Sequence, residues 1–185
     1  MTAPEGLPRL PERLLVGVTG SIAALGLPGY LNAFRALGAN RVTVVPTRNA
    51  RRFLSAETLG WLSNAVCTDE DHGPGHVALA EWAELMLVLP ATANVLGAAA
   101  NGLAPDLLTT VLLARQRPVV FAPAMNKRMW DSPAVRRNVR TLRADGHTVV
   151  APEEGPVYEA ASRQLVTGLV LPRPERIAAV LAERG

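Results

Sequence analysis

The sequence predicts an α/β fold, a single-domain Rossmann-like open parallel sheet with helices on both faces. Three observations carry the prediction. Short apolar runs recur along the chain; each closes on a loop of small or polar residues; and each is followed by a stretch with helical spacing. Alternation of this kind builds a parallel sheet covered on both sides. The 185 residues suit one domain. Hydrophobic residues make up 49% and aromatic ones 4%, so aliphatic side chains must fill the core.

Residues 13–18 hold Leu14, Leu15, Val16 and Val18 and stop at Thr19-Gly20-Ser21, as a buried parallel strand does. Ser21 is placed to cap a helix reaching about residue 37, with Gly38 to stop it. Residues 41–45 form the second strand, and Asn49 or Ser55 opens helical stretches carrying Phe53, Leu54, Leu59 and Leu62. Residues 85–89 are a third strand, followed by a small, apolar helix over 92–100 and another over 105–115 with Pro105 near its first turn. Residues 118–122 are the fourth strand. Ser132 and Pro133 start a helix that runs to Asp145 and stops at Gly146. A fifth strand over 148–151 and a final helix over 174–184 close the domain, which spans residues 13–185. Residues 1–12 are Pro-rich and polar and read as a disordered lead.

Composition excludes several classes. A net charge of +3 is too small to argue for nucleic acid. One cysteine, Cys67, rules out an internal disulfide and a cysteine zinc cluster, and fits a reducing cytoplasm. No apolar run reaches the ~18 residues of a membrane span, and the N-terminus lacks a signal pattern. The expectation is a cytoplasmic protein with no membrane or nucleic-acid partner.

In open parallel sheets, ligands bind beyond the carboxyl ends of the strands. Three loops there have unusual polar content: 19–21, 90–94 and 123–126. Gly20-Ser21-Ile22-Ala23 opens a helix, where Gly permits close approach and free N–H groups face an anion. It is neither a GxGxxG nor a P-loop, and a plain strand-to-helix turn is the competing reading. Thr47, Arg48 and Asn49 add a hydroxyl, a cation and an amide after the second strand. Thr92 either caps a helix or, with Asn94, donates to a cofactor. Asn126, Met129 and Trp130 place an amide, a thioether and an indole just after a strand; the competing reading is a helix start whose Met and Trp only pack. Of the histidines, His147 enters a strand and His72 lies in a polar loop. His76 sits where a loop becomes an apolar helix, a position open to a structural role or to that of general base.

Together these segments resemble the homo-oligomeric flavin-containing cysteine decarboxylases, over residues 14–168. Pro123-Ala124-Met125-Asn126-Lys127-Arg128-Met129-Trp130 matches that family's Pro-x-Met-Asn-x-x-Met-Trp motif at each fixed position. Pro90-Ala91-Thr92-Ala93-Asn94-Val95 is similar to its Pro-Ala-Ser-Ala-Asn-Thr motif, with one hydroxyl lost at Val95. Residues 20–24 match the first flavin loop, and His76, six residues before Trp82, matches the catalytic histidine. The resemblance implies FMN held at subunit contacts of a homotrimer, with trimers assembling into dodecamers. It implies that Gly20, Ser21, Ile22, Thr47, Arg48 and Asn49 hold the phosphate region, that Thr92, Ala93 and Asn94 touch the ring or ribityl chain, and that Ala124 lines the site. Asn126 would bind the substrate carboxylate beside Met129. His76 would take a proton from a cysteine while flavin accepts a hydride equivalent; the thioaldehyde so formed lets carbon dioxide leave and gives an enethiol.

Within the family, the phosphopantothenoylcysteine decarboxylases resemble one another in a cysteine in the segment after the fifth strand, which helps to reduce the enethiol. Residues 153–166 contain none here, and Cys67 lies far upstream, where it reads as a buried or incidental thiol. The expected reaction therefore stops at the enethiol, on the C-terminal cysteine of a precursor peptide, as in the aminovinyl-cysteine peptides of lanthipeptide biosynthesis. A chain of 185 residues with no fused synthetase domain agrees with this expectation. Phosphopantothenoylcysteine decarboxylation is the alternative, and a non-catalytic regulatory flavoprotein a third reading. Residues 153–166 are expected to act as a mobile clamp over the peptide.

Overall fold

The computed structural model describes residues 9–71, 73, 75–159 and 162–185. Six parallel strands form the sheet: β1 (Arg13–Val18), β2 (Arg41–Pro46), β3 (Ala65–Val66), β4 (Leu85–Ala91), β5 (Val120–Pro123) and β6 (Thr148–Val149). Their order is β3-β2-β1-β4-β5-β6. The chain reverses direction across the sheet between β1 and β4, the switch point where doubly wound folds bind ligands.

Successive side chains of β1 serve opposite faces, as the two-residue period of a strand requires. Leu14, Val16 and Val18 join one core with α1 (Leu27–Ala36), α2 (Ala56–Leu62) and α8 (Pro174–Ala182), through Leu31, Phe34, Leu59, Ile177 and Leu181. Leu15 joins the other, with Met86, Val88 and Phe121. That second face is covered by α3 (His76–Trp82), α4 (Ala93–Ala100), α5 (Leu107–Ala114) and α7 (Pro133–Ala144), through Leu79, Leu96, Val111 and Val139. Phe34 and Phe121 are the only aromatic residues among the largest fully buried side chains, so aliphatic residues do fill both cores.

The structure corrects several expected boundaries. The helix expected over 21–37 is two elements, a 3-10 helix (Ile22–Gly26) and then α1, with Pro28 in its first turn. Proline has no N–H for the ladder, so a continuous helix would break there. Asp106, not Pro105, starts α5: its carboxylate accepts the Thr109 N–H at 2.9 Å, and its own N–H donates to Thr109 Oγ1 at 3.1 Å. Strand β3 was not expected; it is two residues long and pairs with Thr43 and Val44. Of the lead, residues 9–12 are docked: Leu10 is buried and its N–H donates to the Leu37 carbonyl at 2.7 Å. Gly38, at φ +114, passes so close that a Cβ there would lie 2.9 Å from the Leu10 carbonyl oxygen.

The expected clamp is not an irregular loop. It lies in an antiparallel hairpin, β7 (Glu153–Glu159) with β8 (Gln164–Val170), separate from the main sheet. Its base is fixed on one side by Arg176, which donates to Glu153 at 2.6 Å, and on the other by the Tyr30 hydroxyl, which donates to the Pro172 carbonyl at 2.7 Å. Tyr158 and Leu165 pair across the hairpin and stand 62% and 75% exposed.

Candidate active site

Every strand of the parallel sheet points its carboxyl end the same way, so the loops after β1, β2, β4 and β5 share one edge. Thr19 ties two of them together. Its buried hydroxyl donates to the Pro90 carbonyl at 2.7 Å and accepts the Thr92 N–H at 3.0 Å. Next to it, the Thr47 N–H donates to the Val18 carbonyl at 2.9 Å, joining the β1 and β2 loops. Gly20 lies where they touch: a Cβ there would sit 2.6 Å from Asn49 Cβ. Real Cβ atoms do not approach that closely, so any side chain at residue 20 would force the two loops apart. The Ala124 N–H donates to the Ala91 carbonyl at 3.0 Å and draws in the β5 loop.

Ser21 caps the 3-10 helix by accepting the Ala23 N–H at 3.3 Å, and Ile22 stands 67% exposed beside it. Arg48 and Asn49 are exposed and Thr47 is half-buried. Thr92 occupies the N-cap position of α4 with extended backbone, but its side chain makes no capping bond. Of the two readings, the one in which the Thr92 side chain caps the helix is not what the structure shows. The first-turn N–H groups of Ala93 and Asn94 have no partner within a helix by geometry, and this end of α4 presents uncompensated donors. The close loop packing at Gly20 and the open N-terminus of α4 lie on this one edge, and a helix N-terminus suits an anion; the residues present suit the phosphate of a flavin mononucleotide.

Asn126 caps the short helix α6 (Lys127–Trp130): its side-chain oxygen accepts the Met129 N–H at 2.9 Å. With the oxygen engaged, the amide nitrogen is left to donate, and it has no bond to another described residue. Asn126 is exposed, and Met129 is 44% exposed. Met125 and Trp130 instead pack on the second core, so those two motif positions are structural.

His76 is the first residue of α3, exposed, at the rim of a cavity of about 370 Å³ lined by Cys67, Thr68, Asp71, Pro105 and Thr110 among others. Neither Gly20, Thr92 nor Asn126 lines that cavity. His76 begins α3, which lies between β3 and β4 in the chain, whereas Asn126 follows β5. The structure thus gathers Gly20, Asn49, Thr92 and Ala124 on one edge and leaves His76 on a separate wall. Cys67 is buried, and burial, with Asp71 second, raises its thiol above the ordinary range; the thiolate is disfavoured there. His72 lies outside the described residues. His147 is half-buried and accepts the Val119 N–H at Nδ1, at 3.1 Å, which marks it as structural.

Two contributors escaped sequence reasoning. Thr19 was visible only as the hydroxyl ending a buried strand. The bidentate pair Arg51–Glu70, at 2.6 and 2.8 Å, joins the segment after the β2 loop to the segment that leads to His76. The Arg51 hydrogen bond holds the Glu70 carboxyl below its ordinary range.

The fold and its ligand-facing edge define a Rossmann-like ligand-binding protein. The Flavoprotein family model matches residues 5–170, and the chain belongs to that family. It is 36% identical over 168 residues to the mersacidin decarboxylase of Bacillus sp. (strain HIL-Y85/54728), covering 87% of this chain and 85% of that one. It is 45% identical over 150 residues to the coenzyme A biosynthesis bifunctional protein CoaBC of Bacillus subtilis (strain 168), covering 78% of this chain but only 37% of that protein's length. Among solved structures, the FMN-dependent cysteine decarboxylase SpaF matches with a TM-score of 0.77 at 37% identity, over 93% of this chain and 96% of that one. A variant of the peptidyl-cysteine decarboxylase EpiD, complexed with substrate peptide DSYTC, matches with a TM-score of 0.86 at 25% identity, over 91% and 97% of the two chains.

Proposed function

We propose that this chain is an FMN-dependent cysteine decarboxylase that oxidatively decarboxylates the C-terminal cysteine of a precursor peptide to an enethiol, in the cytoplasm. The observation that carries the reading is the gathering of the loops after β1, β2, β4 and β5 on one edge of the sheet, with Gly20 packed on Asn49, the N-terminus of α4 uncapped by a side chain, and Asn126 exposed after β5. Gly20, Ser21, Ile22, Thr47, Arg48 and Asn49 hold the phosphate end of the cofactor, Thr92, Ala93 and Asn94 its ring or ribityl chain, and Ala124 lines the pocket. When bound, the flavin supplies a two-electron acceptor for the substrate cysteine. Asn126 donates from its amide nitrogen to the substrate carboxylate, and Met129 covers it. His76 takes a proton from the cysteine on an imidazole nitrogen. The C-terminal carboxylate then leaves Cα as carbon dioxide, and its electron pair passes to the thiocarbonyl of the oxidised side chain, which takes up a proton as the enethiol.

His76 lines a cavity that neither Gly20 nor Asn126 joins, so the reading puts complete sites between copies, in a homotrimer that assembles further into a dodecamer. The hairpin β7–β8, with Tyr158 and Leu165 at its exposed face, is the clamp over the peptide.

Phosphopantothenoylcysteine decarboxylation is the second reading, favoured by the 45% identity to the CoaBC protein. Against it stands the absence of cysteine from residues 153–166 and the protonated, buried state of Cys67. Offered both compounds, the enzyme is expected to turn over a Cys-terminated peptide with kcat/KM at least about tenfold higher, a difference of some 1.4 kcal/mol in transition-state stabilisation. The opposite preference replaces the first reading with the second.

A further inference from the structure

Arg115 is buried, an unusual state for a guanidinium. It lies at the end of α5, remote in sequence from His76, yet all its partners belong to the far end of the helix that His76 begins. Nη1 donates to the Ala80 carbonyl at 2.8 Å and to the Ala83 carbonyl at 3.1 Å, and Nη2 donates to the Glu84 carbonyl at 3.0 Å. Nε is buried with no partner among the described residues, and burial, with Arg117 second, pulls the group below its ordinary range. A buried cation has a cost, and it persists only where its bonds compensate. Here three carbonyls at the exit of α3 are satisfied by one rigid fork, and the positive charge complements the helix C-terminus.

Beyond that grip, α3 is a short helix that packs on α5 and, through Trp82, on the second core. It has seven residues, of which only Leu79 and Ala80 are buried, and its N-cap, Gly75, offers no side chain. His76 and Val77 stand exposed at its free end. The helix is about 10 Å long at 1.5 Å per residue, so a tilt of about 10° at the anchored end moves His76 by nearly 2 Å. A misplacement of about 1 Å can lower a rate about a hundredfold.

We infer that Arg115 is a positioning residue for the reaction: by gripping the C-terminal end of α3 it sets where His76 stands. The inference rests on the reading of His76 as the proton acceptor, but its test has an arm that does not. Arg115→Met keeps most of the stem and removes the donors; Arg115→Lys restores one charged donor without the fork. In the flavin-loaded protein, Arg115→Met is expected to lower kcat about tenfold to a hundredfold with KM within about threefold of wild type, and Arg115→Lys to recover part of it. Hydrogen exchange of amides 77–82 is expected to quicken at least about tenfold in Arg115→Met, with or without flavin, while those of α7 keep their rates. Unchanged kcat and unchanged α3 exchange in both variants overturn the inference. So does a loss of activity that accompanies faster exchange throughout the chain, which marks a purely structural residue; if Arg115→Met does not fold, Arg115→Lys decides alone by the same criteria. If wild type itself decarboxylates no cysteine compound while α3 exchange responds as expected, the proposed function fails and the grip of Arg115 on α3 stands.

Discussion

Thr19 holds two hydrogen bonds on one oxygen, to the Pro90 carbonyl and from the Thr92 N–H. Thr19→Val keeps the shape and removes both. At about 1 kcal/mol per bond, flavin affinity is expected to fall about tenfold to thirtyfold, read by titrating flavin into apoprotein; unchanged affinity would separate the loop junction from the cofactor. Asn126→Ala removes the amide proposed to bind the substrate carboxylate, and kcat/KM for a Cys-terminated peptide is expected to drop about tenfold to a hundredfold, the usual range for a bond to a charged group. His76→Asn is expected to retain flavin while decarboxylation falls at least about a hundredfold; a variant with full activity removes His76 from the chemistry. At this scale, the fixed spacing of its motif singled out Asn126, which the structure shows as the exposed N-cap of α6. Thr19 and Arg115 were not legible in this way, because their partners lie 71 to 73 and 31 to 35 residues away along the chain.

Among elements, the strands that are central in the sheet were legible to within two residues, since β1, β2, β4 and β5 are continuous apolar runs buried on both faces. Strand β3 is two residues at a sheet edge, too short to leave a periodic signal. The β7–β8 hairpin escaped for a different reason. Gly155, Pro156 and Gly168 read as brackets of a mobile clamp, whereas Pro156 is tolerable in a strand because, among the described residues, the ribbon has no third strand to demand an N–H there. A two-stranded ribbon is marginal by itself in water, so its anchors Glu153–Arg176 and Tyr30–Pro172 matter. Replacing the ribbon by a short Gly-Ser linker is expected to leave flavin binding within about twofold and to raise KM for the peptide at least about tenfold, measured by steady-state kinetics. An unchanged KM would show that the hairpin takes no part in holding substrate.

For the whole molecule, stability should depend on pH through His147. Burial holds its imidazole below the ordinary range, with Asp145 opposing as the smaller influence. The neutral ring accepts the Val119 N–H and packs edge-on against Phe121. Its folded-state value is lowered, so the contribution is present above the ordinary imidazole range and is lost as pH falls through that range toward the lowered value. Thermal melts from about pH 8 to pH 5 are expected to show a fall in Tm that is shallower in His147→Gln; parallel slopes would assign the acid sensitivity elsewhere. Assembly is the other property at this scale. The proposed sharing of sites between copies predicts a particle several times the 19.7 kDa of one chain, and loss of activity together with dissociation on dilution.

The central claim is oxidative decarboxylation of a C-terminal cysteine, and mass spectrometry of a Cys-terminated peptide incubated with the flavin-loaded protein tests it most directly. The account predicts a product lighter by about 46 Da, carbon dioxide plus two hydrogens, as a two-electron oxidation coupled to decarboxylation requires. A loss of about 44 Da, carbon dioxide alone, or an unchanged peptide beside normal flavin content, would contradict it.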